Sequence, residues 1–268
     1  MNICIYTSDQ PSAASLLNIN HLLQNRPDHN YSFLTVVKPH AKQGLEQKLK
    51  KIYSELRFDD GRFDLQRDSL AIDKKVEPLI PRINKKDFRN GFADEVNDEK
   101  SVQFLNEIKP DIIIQSDAGI IRENIFSRAK IATINVHHGI SPDIRGMYST
   151  FWCLFYGIKE KIGVTCHFID DHLDTGTIVA QRALNSNART FADIQFENYL
   201  LARDVLVEGI DKLAKGGYKI KTEADTRSYY FGFPNPFLYY ALKKRNFEPL
   251  MKISEKTFKL KEKKYLEF

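Results

Sequence analysis

The sequence predicts an α/β fold: a mostly parallel, twisted sheet with helices on both faces, plus a small C-terminal extension. Three observations carry that expectation. Short apolar runs alternate with stretches of helical spacing, as in strand–helix–strand units whose parallel strands need crossover connections. The run Asp111 to Gln115 holds three consecutive isoleucines, which suits a strand buried on both faces. Two polar clusters, around Asn135 to His138 and around Asp170 to Asp174, each follow an apolar run. Ligands of such sheets bind outside the carboxyl ends of the strands, near the point where strand order reverses.

Taken in order, Ile3 to Tyr6 reads as a strand and Ala13 to Leu23 as a helix with Ser12 as its cap. Tyr31 to Val37 supplies the next strand, and Lys42 to Leu56 an amphipathic helix with lysines on its outer face. From Phe58 to Phe92 the periodicity fades into charge, Gly61, Pro78 and Pro81, and an irregular insertion or lid is expected. Asn97 is the expected cap of a helix running to Ile108, ahead of the isoleucine strand. A turn at Asp117 to Gly119, a helix from Arg122 to Arg128 and a strand from Ile131 to Val136 follow. Met147 to Tyr156 is a helix carrying the only tryptophan, Trp152. Gly163 to Ile169 and Thr177 to Gln181 are strands flanking the acidic loop, and Phe191 to Lys215 is a long helix closed by Gly216 and Gly217. The pattern is Rossmann-like and divides into residues 1–190 and an extension, 191–268, begun by the long helix. The first turn holds no Gly-x-Gly-x-x-Gly and no P-loop sequence, which disfavours a nicotinamide enzyme or a P-loop nucleotidase.

A chain of 268 residues with 42% hydrophobic content can bury a sizeable core. No stretch approaches the roughly twenty apolar residues of a membrane span, and the N-terminus starts directly as a strand without a basic leader, so the expected location is cytoplasmic, away from any membrane. Cys4, Cys153 and Cys166 are too few and scattered for a disulfide framework and read as buried thiols. The formal charge of +5 resides in the segment from Lys243 to Phe268, where nine Lys or Arg face four Glu. A basic tail can touch nucleic acid or acidic partners; the commoner reading is a solvated helix face.

If the strand ending at Val136 continues through His137, alternation puts Asn135 and His137 on one face and Val136 and His138 on the other. An Asn amide can donate to an oxygen that becomes negative in acyl transfer, and a His can stabilise the same oxygen or move a proton, with an Asp to raise its pKa. By themselves the two residues also describe a satisfied polar pair at a strand end, which is the commoner case. His138 reads as packing or bonding to backbone, Asp170 and Asp171 as turn formers, and His172 as a solvated loop residue. The spacing of His137, His138, Cys166, His167 and His172 matches no usual ligand pattern, so no metal is expected.

Asn135-Val136-His137, then Pro142-x-x-Arg145-Gly146, then Val164-Thr165-x-His167-Phe168-x-Asp170-x-x-Leu173-Asp174-Thr175-Gly176, resembles the signature of the folate-dependent formyltransferases. The resemblance spans Lys109 to Gln181 and implies Asn135, His137 and Asp174 as catalytic residues and 10-formyltetrahydrofolate as the formyl donor. It also implies a folate pocket at Ile121, Arg122, Asn124, Ile169 and Asp170. Within the family, the run Arg145 to Trp152 is most similar to the nucleotide-sugar N-formyltransferases. That implies a nucleotide-linked amino-deoxy sugar as acceptor, met by Arg145, Met147, Tyr148 and Ser8. The first loop, Thr7 to Ser12, departs from the Gly-rich phosphate loop of the glycinamide ribonucleotide enzymes, and the tail is shorter than the C-terminal domain of the methionyl-tRNA enzymes, so both acceptors stand as alternatives. Hydrolysis of 10-formyltetrahydrofolate and a non-catalytic folate- or nucleotide-binding module are the further rivals. The aromatic run Tyr229 to Phe237 reads as packing against the main domain or a second subunit, or as a stacking surface for a nucleobase, and a homodimer is left open.

Overall fold

The structure, a computed structural model, describes residues 1–37, 64–81, 83–251 and 259–267. The helix expected at Lys42 to Leu56 lies outside the described residues. Strand β1 (Asn2–Ser8) leads into helix α1 (Ala13–Asn25), whose cap is Ser12, its hydroxyl accepting from the Ser15 amide. Then follow β2 (Asn30–Val36), α2 (Asp64–Val76), β3 (Arg89–Ala93), α3 (Glu99–Ile108), β4 (Ile112–Ser116), the short α4 (Glu123–Phe126) and β5 (Ala132–His137). Next come β6 (Ile144–Gly146), α5 (Ser149–Tyr156), β7 (Gly163–Phe168), β8 (Ile178–Ala183), α6 (Phe191–Lys215), β9 (Lys219–Phe231), α7 (Pro236–Lys244) and β10 (Lys259–Glu267).

The strand order is β3-β2-β1-β4-β5-β7-β8-β10-β9-β6. From β3 to β5 the neighbours are parallel; β7 then runs antiparallel to β5, and β8 antiparallel to β7. The chain builds outward from β1 on one side and returns through β4 on the other, so the switch in strand order lies between those two strands. Alternation along the buried strands feeds two cores. Ile3, Ile5, Ile112, Ile114 and Ile134 meet Leu22 of α1 and Val205, Leu206 and Ile210 of α6, while Cys4, Tyr6 and Ile113 meet Leu105 of α3 and Ile125 of α4. That is why the isoleucine run shows no polar alternation: both faces of β4 are covered. A third cluster joins α2, α5 and α7 through Leu65, Ile72, Phe151, Phe155, Tyr239 and Leu242, seating part of the C-terminal extension on the helices that precede it.

Three expectations are corrected. The stretch from 58 to 92, insofar as it is described, is ordered: α2, two 3-10 turns at Glu77–Leu79 and Lys85–Asp87, and β3. Helix α2 shows the core a narrow stripe, Leu65, Ile72 and Val76, too sparse among charges to declare a period. Strand β3, Arg-Asn-Gly-Phe-Ala, lies at the sheet's edge and exists because β2 pairs with it and because Gly91 admits the Phe104 ring. Second, the cap of α3 is Asp98, which accepts from the Ser101 amide at 2.8 Å, and not Asn97. Third, the basic tail is not a helix face over its last part: β10 pairs antiparallel with β9 and touches β8 through Tyr265 and Ile178.

Candidate active site

The antiparallel register of β5 and β7 builds the site. Asn135 pairs with His167 and His137 with Thr165, so these side chains share one face of the sheet. The loop from β7 to β8 then turns back over that face. Gly176 permits the turn, because a Cβ there would lie 1.7 Å from the Phe168 carbonyl oxygen, and Asp174 adopts a left-handed φ of 53°. This brings the Asp174 carboxylate between two imidazoles, Oδ2 at 3.6 Å from His137 Nδ1 and Oδ1 at 3.6 Å from His167 Nε2. All three are buried, and the Gly146 amide donates to Asp174 Oδ2 at 2.9 Å.

Backbone carbonyls set both rings. His137 Nε2 donates to the Ile144 carbonyl at 2.9 Å, and His167 Nδ1 donates to the Phe168 carbonyl at 2.8 Å. Each ring therefore turns its other nitrogen to Asp174. Burial alone would raise the Asp174 pKa, but His137, His167 and the Gly146 amide outweigh it and hold the carboxyl well below its usual range. Burial pushes the His137 pKa down, and the Asp174 carboxylate pulls it back only in part. The cluster thus holds one carboxylate between two buried rings, of which His137 is biased toward its neutral form. Gly139 keeps the place open: a Cβ there would stand 2.6 Å from His137 Nε2.

Asn135 is half-buried, and its amide makes no side-chain hydrogen bond among the described residues, so it is free to donate to a guest. It forms one end of a cleft of about 720 Å³ whose apolar walls include Ile120, Ile121, Phe126 and Ile169. Arg122, Asp170, His167 and Asp174 also line it. Of the residues expected to hold a folate, Ile121, Arg122, Ile169 and Asp170 are thus gathered with Asn135 and Asp174. Asn124 is turned away and donates to the Asn97 carbonyl at 3.0 Å. Asp170 also shapes its own loop, accepting from the His172 amide and the Thr175 hydroxyl.

The expected acceptor residues fall in two places. Arg145 donates to the Leu173 carbonyl at 3.1 Å and to the Ser228 hydroxyl at 2.8 Å, with its guanidinium 5.9 Å from the Tyr230 ring centroid. Met147 is exposed beside it, and Tyr148, at a left-handed φ of 55°, sets its ring against Phe233. Of the aromatic run, Tyr229 is buried and Phe231 stacks on Trp152, whereas Tyr230 and Phe233 stay exposed. Ser8 is buried at the end of β1 and lines a separate cavity with Leu16, Asp73, Glu77 and Asp117.

Two contributors escaped the sequence reading. His167 lay inside the quoted motif, and pairing it with Asn135 required the β5–β7 register, which no local pattern displays. Asn97 donates to the Ile120 carbonyl at 2.9 Å and accepts from the Arg122 amide at 2.8 Å, fastening one wall of the cleft from 23 to 25 residues away. Among the described residues, no group of three or more His, Cys, Asp or Glu is placed to hold a metal ion, and no helix is long and apolar enough to cross a membrane.

Against curated proteins, the chain is 28% identical over 137 residues to a methionyl-tRNA formyltransferase of Thermotoga maritima, covering 50% of this chain and 44% of that protein. It is 32% identical over 126 residues to the corresponding protein of Thermodesulfovibrio yellowstonii, covering 46% and 40%. The chain thus spans less than half the length of these two relatives. Among solved structures, a sugar N-formyltransferase from a Shewanella species superposes with a TM-score of 0.53 at 17% identity, covering 87% of this chain and 77% of that one. A phosphoribosylglycinamide formyltransferase from Bacillus halodurans gives 0.53 at 14% identity, covering 80% and 96%. At these identities the structural likenesses show the fold. The family profile described as formyl transferase matches residues 1–190, and the chain belongs to that family.

Proposed function

We propose that this chain transfers a formyl group from 10-formyltetrahydrofolate to a primary amine, with the amino group of a nucleotide-linked amino-deoxy sugar as the acceptor. The family's formyl donor is 10-formyltetrahydrofolate. The cleft beside Asn135 fits such a molecule: its volume suits a small-molecule site, and apolar side chains such as Ile120, Ile121, Phe126 and Ile169 line it together with polar ones. Ile121 and Ile169 would flank the flat ring system, Arg122 and Asp170 would meet its polar edge, and the formyl group would lie toward Asn135.

The observation that carries the reading is Asp174 held between His137 and His167 at the end of that cleft. The Asn135 amide donates to the formyl oxygen as it gains negative charge, an interaction that strengthens along the reaction. His137, biased toward its neutral form, takes the proton that the attacking amine loses, Asp174 stabilises the resulting imidazolium, and the tetrahedral adduct collapses by breaking the bond from the formyl carbon to N10 of the donor, which leaves as tetrahydrofolate with that proton. Holding the amine and the formyl carbon in line supplies a further large part of the rate.

Two features support the acceptor class. Arg145 and the exposed rings of Tyr230 and Phe233 form a cationic, aromatic ledge near the acidic loop, suited to a nucleotide. The Ser12 amide at the start of α1 donates to Asp117 at 2.7 Å, so a carboxylate occupies the place where a ribonucleotide phosphate would seek amides. Incubation with 10-formyltetrahydrofolate and a panel of amino-sugar nucleotides should give a product heavier by one formyl group. His137→Ala and Asp174→Ala should each lower the rate by at least about a hundredfold in folded protein. Formylation of methionyl-tRNA with no gain across the panel overturns the acceptor, and formate release without any amine overturns the transfer.

A further inference from the structure

Strand β6 supports the active site, and a segment far along the chain supports β6. The strand lies at one end of the strand order, where its neighbour is β9 of the C-terminal extension. All three of its residues serve the reacting centre. The Ile144 carbonyl accepts from His137, the Gly146 amide donates to Asp174 Oδ2, and Arg145 donates to the Leu173 carbonyl at 3.1 Å. On its other side Arg145 donates through Nε to the Ser228 hydroxyl at 2.8 Å. Ser228 is buried on β9, directly before the Tyr229 to Phe231 stretch that pairs with Ile144 to Gly146. This end of β9 is itself anchored, because Phe231 stacks on Trp152 and the indole donates to the Gly232 carbonyl at 2.9 Å.

The Leu173 carbonyl is where a hold on the loop aims the carboxylate. It belongs to the peptide unit that joins Leu173 to Asp174, and rotation of Asp174 against that unit is its φ, here 53°. A residue other than glycine stays in the left-handed region only where its surroundings fix it. Within the loop little does so. Asp170 to Leu173 are exposed, and the bonds that Asp170 accepts from the His172 amide and the Thr175 hydroxyl are local. Arg145 reaches in from another element to supply the missing hold. Its planar fork of donors meets two acceptors in fixed directions, which the single ammonium of a lysine on its flexible stem does not. The side chain is half-buried, so losing either acceptor leaves a donor that water satisfies poorly.

We infer that Arg145 is a positioning residue for formyl transfer: held by Ser228 of the C-terminal extension, it clamps the peptide between Leu173 and Asp174 and so aims the Asp174 carboxylate at His137. The inference rests on the formyl-transfer reading above. Arg145→Lys keeps the positive charge that the ledge offers a nucleotide and loses the fork. In the full-length protein, with the acceptor found in the amino-sugar panel, it should lower kcat at least about tenfold, as a misplacement of about 1 Å does, while both KM values change less than about threefold. Ser228→Ala leaves Arg145 in place and removes its hold, and should lower kcat about three- to tenfold, the worth of one hydrogen bond. In the Arg145→Lys background it should lower kcat no further, because the two residues act through one chain of contacts. An unchanged kcat in folded Arg145→Lys, a rise in the acceptor KM in place of a fall in kcat, or full multiplication of the two losses in the double variant overturns the clamp. If no panel member is formylated, the parent reading has failed, and hydrogen exchange then judges the clamp alone. The Gly146 amide, held by Asp174, should exchange at least about tenfold faster in Ser228→Ala while the amides of β1 keep their rates. An unchanged Gly146 rate, or a rise shared equally by β1, overturns it.

Discussion

Two neighbouring histidines at the end of β5 meet opposite surroundings because a strand turns successive side chains to opposite faces. His137 meets a carboxylate, and His138 meets a cavity wall. Both are held below their ordinary pKa, so the unfolded chain binds their protons more readily than the folded one. For His138 this contribution is full above about 6.5 and is lost as the pH falls toward about 4. Asp174 acts in the next window. Its carboxyl is depressed in the fold, so its contribution is present above the unfolded value of roughly 4 and is lost below it. Acid therefore destabilises in two successive stages. His138→Leu should flatten the fall in melting temperature between pH 6.5 and 4, an effect of at most about 3.5 kcal/mol at roughly 1.4 kcal/mol per unit, and leave the fall below pH 4 intact. Parallel profiles for the two proteins would contradict this assignment.

Among the elements, α6 approaches the sheet closely at one glycine. Gly209 faces β7, and a Cβ there would lie 2.7 Å from Cys166 Sγ, with Val179 of β8 also in range. The sulfur is fully buried, and burial pushes its pKa to about 12, so it serves as packing and not as a reactive thiol. Because β7 carries His167, the depth at which α6 seats bears on the site. Gly209→Ala should cost about 1–3 kcal/mol by overpacking, despite the better helix propensity of Ala. Adding Cys166→Ala should restore part of that loss, which denaturant unfolding of the single and double variants can read. A more stable Gly209→Ala protein would show that the helix shifts freely. Periodicity revealed α6 from Phe191 to Lys215 with Gly216 closing it, and the structure adds Thr190 as its cap. The seating distance was not legible, since it depends on which residue of another element lies beneath each turn.

At the scale of the molecule, three clefts lie along the carboxyl ends of the strands, near the switch between β1 and β4. The donor cleft and the cavity behind β5 meet at Gln115 and Asn135, and that cavity meets the Ser8 cleft at Ser12 and Asp117. Under the proposed function, the cleft beside Asn135 takes the formyl donor. Ile120 tests the donor side. It is 75% exposed, yet it lines the donor cleft, so its apolar surface is available to a ligand and adds little to the core. Ile120→Ser should raise the KM for 10-formyltetrahydrofolate about three- to tenfold, leaving the acceptor KM and the melting temperature unchanged, since burying part of such a side chain is worth about 1 kcal/mol. A shift in the acceptor KM instead would overturn the assignment of that cleft.

The sequence by itself determined the α/β class, many of the strands and helices up to Lys215, the pairing of Asn135 with His137, and, through the resemblance to the formyltransferase signature, Asp174. Those are properties of period and order, written locally or in a pattern that survives without coordinates. Tertiary structure decided the rest. It made β3 a strand, because a partner's unpaired backbone can recruit a polar pentapeptide. It folded the basic tail back onto β9, because alternation over so few residues, broken by a bulge between Lys261 and Lys263, is too weak a signal alone. It placed His167 against Asp174, and it gathered Asn18, Asp117 and His138 around one cavity from three separate elements. Contacts across a sheet follow from register and from helix seating, and both arise when distant segments bury surface together.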